Sequence, residues 1–334
     1  MNKELSRKNN KKISTYLVLL LIMIGAMVCS LTFGSVQLGF EELTEGLFGT
    51  SESVETIIMR QIRLPRMLAG LLAGVGLSVS GALLQNVTDN GMASPNIIGV
   101  NAGAGFVVIG MIYLLPMKTI WFPIGAFLGA FVTTLLIVWT ANRMGTSKIT
   151  IILAGLVYTT LLNAGISFLS LLDTDVLATY NHFSVGSLTG VGLEVLWFPA
   201  ILIAVSLIIV IILANKIKIL CLGDEMATAL GVNVKRLRML CLVCASALAA
   251  AVVSFAGLLG FVGLIVPHIA RRFAKGNMKR EIIFSMLIGG TLVLVADTLG
   301  RVALAPTELP VGIVMAFVGA PFFLFLLLKG EKYV

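Results

Sequence analysis

Apolar positions in this chain come in long unbroken runs, not in alternation and not as narrow helical stripes. Residues 13–37, 67–88, 90–117, 119–142, 149–172, 195–215, 239–270 and 309–328 contain no Asp, Glu, Lys or Arg. A bilayer core about 30 Å thick takes about 20 apolar helical residues to cross. Backbone groups in hydrocarbon must be bonded within their own segment, and these runs are too long for barrel strands, so the spans are helices. The pattern predicts an all-α polytopic membrane protein. No soluble domain of ordinary size fits between the runs, so residues 1–334 read as a single transmembrane domain.

Charge parity sets the number of crossings. Lys3, Arg7, Lys8, Lys11 and Lys12 mark residues 1–12 as a cytoplasmic tail. No A-x-A site follows the first apolar run, so this start reads as an uncleaved signal-anchor. Spans then fall near 14–33, 64–87, 95–114, 119–141, 149–171 and 195–215. The run 239–270 has 32 residues and a basic cluster at each end. Two crossings, the second short and broken near Gly257, Gly260 and Gly263, keep both clusters on one side. Spans near 281–302 and 309–328 bring the total to about ten, with both termini cytoplasmic. This arrangement places 19 of the 24 bases inside and 10 of the 16 acids outside. It assigns the net charge of +8 to membrane orientation and leaves no reason to invoke nucleic acid.

Only 12% of residues are charged, and the span interiors are nearly empty of ionisable groups. Glu281 and Asp297 sit near span ends, and His268 is one of two histidines. Secondary transporters and pumps need intramembrane charges to bind coupling ions or relay protons. There is no G-x-x-x-x-G-K-[ST], no H-E-x-x-H and no nucleophile elbow. Cys241 and Cys244 form a C-x-x-C inside an apolar run without a partner pair, which reads as small-residue packing rather than a metal site. The chain is predicted to be no enzyme and to bind no cofactor. Any active transport must draw its energy from another subunit. The 34 glycines predict close helix crossings.

Three segments carry interaction chemistry. Residues 222–231, L-G-D-E-M-A-T-A-L-G, lie in the loop 216–238 between two spans. Asp224 and Glu225 suit a helix start, Met226, Ala229 and Leu230 share a face, and Gly231 can end the helix. Such a helix suits docking into a partner's groove, and equally suits lying on the membrane surface. Arg63, Arg66 and Arg301 oppose the charge rule on the external side. They read either as snorkelling or pairing with Asp297, or as a cationic rim for carboxylates on an external protein. Residues 85–105 are rich in Asn, Gly and Ser. Non-helical backbone there fits a tight turn or a cavity lining.

The ordered motifs resemble the permease subunits of ABC importers for iron-siderophores, haem and cobalamin. They are R-L-P-R at 63–66, S-G-A-L-L-Q-N at 80–86, A-S-P-N-I-I-G-V-N-A-G-A at 93–104, G-S-L at 186–188 and L-G-D-E-M-A-T-A-L-G-V at 222–232. G-F-V-G-L-I-V-P-H-I-A-R at 260–271, E-L-P-V-G-I at 308–313 and G-A-P-F-F at 319–323 complete the set. The resemblance implies the type II ABC importer permease fold with ten helices. It implies a second permease, either another copy or a paralogue, and a cytoplasmic ABC ATPase dimer that carries the ATP and Mg. It makes Leu222, Gly223, Asp224, Glu225, Ala227, Ala229, Leu230 and Gly231 the ATPase-coupling segment. It pairs Arg63, Arg66 and Arg301 with acidic residues of an extracellular substrate-binding protein. It implies pathway or gating roles for Gln85, Asn86, Asn90, Ser94, Pro95, Gly99, Gly260, Gly263, Pro267 and His268. Gly91-Met92 departs from the family's usual Pro-Leu, and Phe183 stands near where many members have Trp. The expected cargo is an iron(III)-siderophore, with cobalamin or haem as alternatives and a secondary transporter as the rival class. Lys- and Asn-rich ends suggest a low-GC Gram-positive bacterium, whose cytoplasmic membrane would hold the permease and whose binding protein would be a lipoprotein.

Overall fold

The computed structural model of the protein describes residues 2–34, 46, 53–96, 99–115, 119–144 and 148–328. The acids at 41, 42, 45 and 52, the bases at 118, 329 and 332, and residues 97–98 of the N-I-I-G motif lie outside the described residues. Every described element is helical. Helix α1 is Asn2–Thr32, so the expected tail is continuous with the first span. A turn at Val54–Ile57 and a π-helical stretch at Ile58–Arg63 lead without a break into α2, Leu64–Thr88. Next come α3 (Val100–Leu114), α4 (Phe122–Arg143), α5 (Lys148–Leu172), α6 (Thr174–Val185) and α7 (Leu193–Leu220). The short α8 (Asp224–Ala229) precedes α9 (Val234–Ala256), α10 (Val262–Ala274), α11 (Met278–Val302) and α12 (Val311–Leu328).

Seven described helices are long and apolar enough to cross a membrane, Val100–Leu114 and Val311–Phe325 are shorter apolar helices, and with the 13-residue α10 they are consistent with the expected ten. Three boundaries differ from expectation for physical reasons. α3 starts at Val100, not near 95, because Asn90 and Pro95 organise a turn: the Ala93 amide donates to the Asn90 carbonyl and the Met92 amide to Asn90 Oδ1. α9 begins at Val234, capped by the Asn233 side chain on the Arg236 amide at 3.0 Å. The segment between helices is therefore 221–233, shorter than 216–238, and Lys216 and Lys218 extend α7 with their ammonium groups exposed. The 13 residues of α10 span only about 20 Å at helical rise. The second crossing of 239–270 is completed by non-helical residues 257–261, most of them at least half-buried against protein, as backbone at that depth requires.

α2 and α9 form the centre, with most of their surface covered. α2 packs on α7, α9, α10 and α11, and α9 packs on α4 and α7. α1 lies outside against α11; α3, α4, α5 and α6 pack together on the other flank. Small residues set the closest crossings. A Cβ on Gly81 would overlap the Gly263 carbonyl where α2 meets α10, and one on Gly74 would overlap Gly289 where α2 meets α11. Without an apolar driving force between helices in lipid, such backbone-to-backbone approach supplies the packing energy. The G-S-L segment is a junction. The Ser187 amide donates to the Ala256 carbonyl, Leu258 to Phe183 and Gly312 to Gly186, so the ends of α6 and α9 and the start of α12 are tied by backbone bonds.

α6 was not anticipated. Asp173 caps it, accepting from the Asp175 amide at 2.8 Å, and Val176 and Tyr180 are buried beneath it. α5 is the least covered of the long helices.

Candidate functional site

Two polar centres lie at opposite ends of the bundle. The first gathers around Arg66. Its guanidinium meets Asp297 at 2.9 Å and Glu308 at 2.6 Å. Asp297 also pairs with Arg301 one helical turn on, at 3.1 Å. Arg301 Nη2 donates to the Ser30 carbonyl and hydroxyl at 3.0 Å, and Arg63 Nη1 donates to the last carbonyls of α1, Leu31 and Thr32. The three arginines are each no more than 5% exposed. The expected cationic rim is therefore absent from the isolated chain; the pairing alternative holds for Arg66 and Arg301, and Arg63 caps a helix. The cause is local charge balance: buried Asp297 and partly exposed Glu308 lie within reach, and burying an unpaired guanidinium would be costly. A cleft of about 480 Å³ reaches Arg66 from the surface, lined also by Arg60, Gln61 and residues 190–194 with Glu194. Arg60 is the exposed arginine of this end, and its Nε donates to the Gly46 carbonyl at 3.0 Å.

The second centre includes α8. Gly223 at φ 101° precedes the helix and Gly231 at φ 79° follows it, both conformations that favour glycine. Asp224 pairs with buried Arg238 of α9 at 2.7 Å, and Ala227 is fully buried beneath the helix. Leu222, Met226, Ala229 and Leu230 are left facing outward, the three larger ones 57–61% exposed. Leu222, Met226 and Ala229 line a shallow depression with Gly223, Asp224 and Glu225. Exposed Lys216, Lys218, Lys235 and Arg236 flank this apolar face. The expected short helix is thus present, with its apolar face turned away from the protein's own core.

The expected gating residues divide. Gln85 and Asn86 end α2 beside α10 and α11: Gln85 Nε2 donates to the Gly263 and Leu264 carbonyls, and Asn86 Nδ2 donates to Glu281 at 2.8 Å. Gly263 meets Pro95 and α2, Pro267 is buried within α10, and His268 is half-buried next to it. Asn90, Ser94, Pro95 and Gly99 build the turn into α3, where Gly99 adopts φ 68°. Gly260 stands in open space before α10. The sequence reading missed Arg271, Glu281 and Cys221, which bond to Gln85 and Asn86. Burial of Glu281 was the missing signal, since an acid in a first helical turn is otherwise ordinary. Among the described residues no cluster of His, Cys, Asp and Glu could hold a metal ion.

A helical bundle, without strands among its described residues and with seven helices long and apolar enough to cross a membrane, defines a polytopic membrane protein. Residues 19–329 match the model of the FecCD transport family, and the chain belongs to that family. It is 36% identical over 327 residues to the Fe(3+)-citrate import system permease protein YfmE of Bacillus subtilis, covering 97% of this chain and 98% of that protein. It is 34% identical over 337 residues to the iron(3+)-hydroxamate import system permease protein FhuG of the same organism, covering 97% and 99%. The haem-iron transport system permease protein IsdF of Staphylococcus aureus matches at 34%, covering 97% and 98%. A solved metal-chelate type ABC transporter in an inward-facing conformation superposes with a TM-score of 0.83 at 29% identity, covering 95% of this chain and 99% of that one. PsaBC from Streptococcus pneumoniae, solved with a Fab, superposes at 0.60 and 18% identity over 85% of this chain and 94% of its own, a likeness of fold alone.

Proposed function

We propose that this permease forms the membrane pathway of an ATP-driven importer that carries iron(III)-siderophore complexes inward across a bacterial cytoplasmic membrane. The observation that carries the reading is α8: a short helix locked to its own protein by Asp224–Arg238, with Leu222, Met226, Ala229 and Leu230 turned outward. The proposed occupant is a groove on a cytoplasmic ATPase, which supplies the ATP and Mg chemistry that the chain's own residues give no means to perform. The relatives' cargoes, ferric citrate, ferric hydroxamate and haem-iron, support an iron chelate as substrate. Large chelates need few fixed charges in their path, in keeping with span interiors poor in ionisable groups. A second permease and an extracellular binding protein, a lipoprotein in this reading, complete the assembly. The binding protein's carboxylates would engage Arg60 and reach Arg66 through the external cleft, in exchange for Glu308; Arg63 and Arg301 keep the structural roles their bonds give them. Orientation follows the bases, with α8 and both termini inside.

Ala229→Asp tests the docking role. A charge on the outward apolar face is expected to abolish co-purification of the ATPase and chelate uptake while membrane insertion persists. Native uptake by this variant would refute the role.

A further inference from the structure

The polar side chains near α8 form one connected path. Cys221 Sγ, in the turn that enters α8, has its one proton within reach of Asn86 Oδ1 at 3.4 Å and of the Ile217 carbonyl at 3.3 Å. Asn86 Nδ2 donates to Glu281 Oε1 at 2.8 Å, and the same oxygen accepts from Arg271 Nε at 3.2 Å. Arg271 Nη2 donates to Gln85 Oε1 at 3.1 Å, and Gln85 Nε2 donates to the carbonyls of Gly263 and Leu264 at 3.3 and 3.2 Å. The path starts beside the proposed docking helix. It ends where Gly81 and Gly263 bring α2 and α10 into backbone contact.

Glu281 is its branch point, and capping does not explain its burial. α11 is already capped by Asn277, whose side chain accepts from the Arg280 amide at 3.1 Å. A first-turn carboxylate gains from the helix dipole while exposed to water. Glu281 is instead 5% exposed, its Oε1 shared between a guanidinium and an amide from two other helices. The two glycines of the Gly81–Gly263 crossing have no side chains to interlock; Gln85 is an α2 side chain that bonds the α10 backbone there, and Arg271 bonds Gln85 in turn. A displacement at Cys221 is thereby passed through Asn86 and Glu281 to Arg271 and Gln85.

We infer that Glu281 is a positioning residue that couples movement of the α8 segment to the α2–α10 crossing. The inference rests on α8 being the ATPase-docking helix. In proteoliposomes holding the full assembly, Glu281→Gln keeps an acceptor for Asn86 and loses the charge that holds Arg271. Its ATP hydrolysis is expected to stay within about twofold of native while chelate moved per ATP falls at least about fivefold, the lower end of ordinary coupling between sites. Asn86→Ala, which spares the Arg271–Glu281 pair, is expected to lower the same ratio, and the double variant to be no worse than the poorer single one. A native ratio in Asn86→Ala, or hydrolysis and uptake falling together in either variant, would overturn the inference. If Glu281→Gln does not accumulate, Asn86→Ala decides alone. Failure of the docking reading looks different: Ala229→Asp would then bind the ATPase and transport normally.

Discussion

At the Arg66 end a single carboxylate serves two guanidinium groups. Asp297 accepts from Arg66 through both oxygens at 2.9–3.1 Å and pairs with Arg301 at 3.1 Å, in a place water barely reaches. Removing one member of a buried ion pair leaves the others charged and desolvated, which costs about 3–5 kcal/mol. Asp297→Asn is therefore expected to destabilise the detergent-solubilised permease by that amount in a denaturant titration. A loss below about 1 kcal/mol, the value of an exposed pair, would show that the cluster is hydrated. The sequence marked these arginines as exceptions to the charge rule and named Asp297 as one possible partner. It could not choose between pairing and a free rim, because the partners are 231 and 242 residues apart in the chain and the choice turns on depth. Glu281 was missed for the same reason: its residue type was visible, its burial was not.

Among elements, the long spans were legible because hydrocarbon thickness imposes a length and charge marks the ends. The division of 239–270 into α9 and α10 was legible too, through its glycines and its flanking bases. α6 was not, since a 12-residue helix whose buried side is little more than Val176 and Tyr180 leaves no periodic signature. Nor was the short length of α3, which follows from a turn held by the Asn90 side chain, whereas the shortness of α10 was foreseen in the broken second crossing of 239–270. The helix crossings themselves were foreseen only as a surplus of glycine. Gly81→Leu places a branched side chain against the Gly263 backbone, where neither helix can yield. Forcing extra carbons into a filled contact costs about 1–3 kcal/mol or more. The expected result is a marked drop in the thermal midpoint of the purified protein, with Gly110→Leu, which has open space around its Cβ position, unchanged. Equal midpoints in the two variants would contradict the crossing.

For the whole molecule, the two ends of the bundle differ in character. One end carries α8, its exposed lysines and the Arg271–Glu281 pair; the other carries the Arg66 cluster, the exposed acids Asp173, Asp175 and Glu194, and Trp121 and Trp197 at the starts of α4 and α7. Trp139, with Arg143 over its ring at 5.6 Å, is an exposed aromatic near the end of α4. Single cysteines at Lys218 and Asp175, in a background where Cys29 and Cys221 are replaced by serine, are expected to differ in intact cells. An impermeant maleimide should label the Asp175 position and label Lys218 only after lysis. Labelling of the Lys218 position in intact cells would reverse the orientation and with it the site assigned to the ATPase.

The bond from Arg66 to Asp297 also bears on biosynthesis. The ribosome delivers Arg66 some 231 residues before its counter-ion exists. Throughout that interval Arg66 lacks the two carboxylates it pairs with in the finished fold. Arrival of α11 supplies Asp297 and seats the first third of the polypeptide against the last. The Arg66–Asp297 tie between early and late helices can therefore form only once α11 has been made.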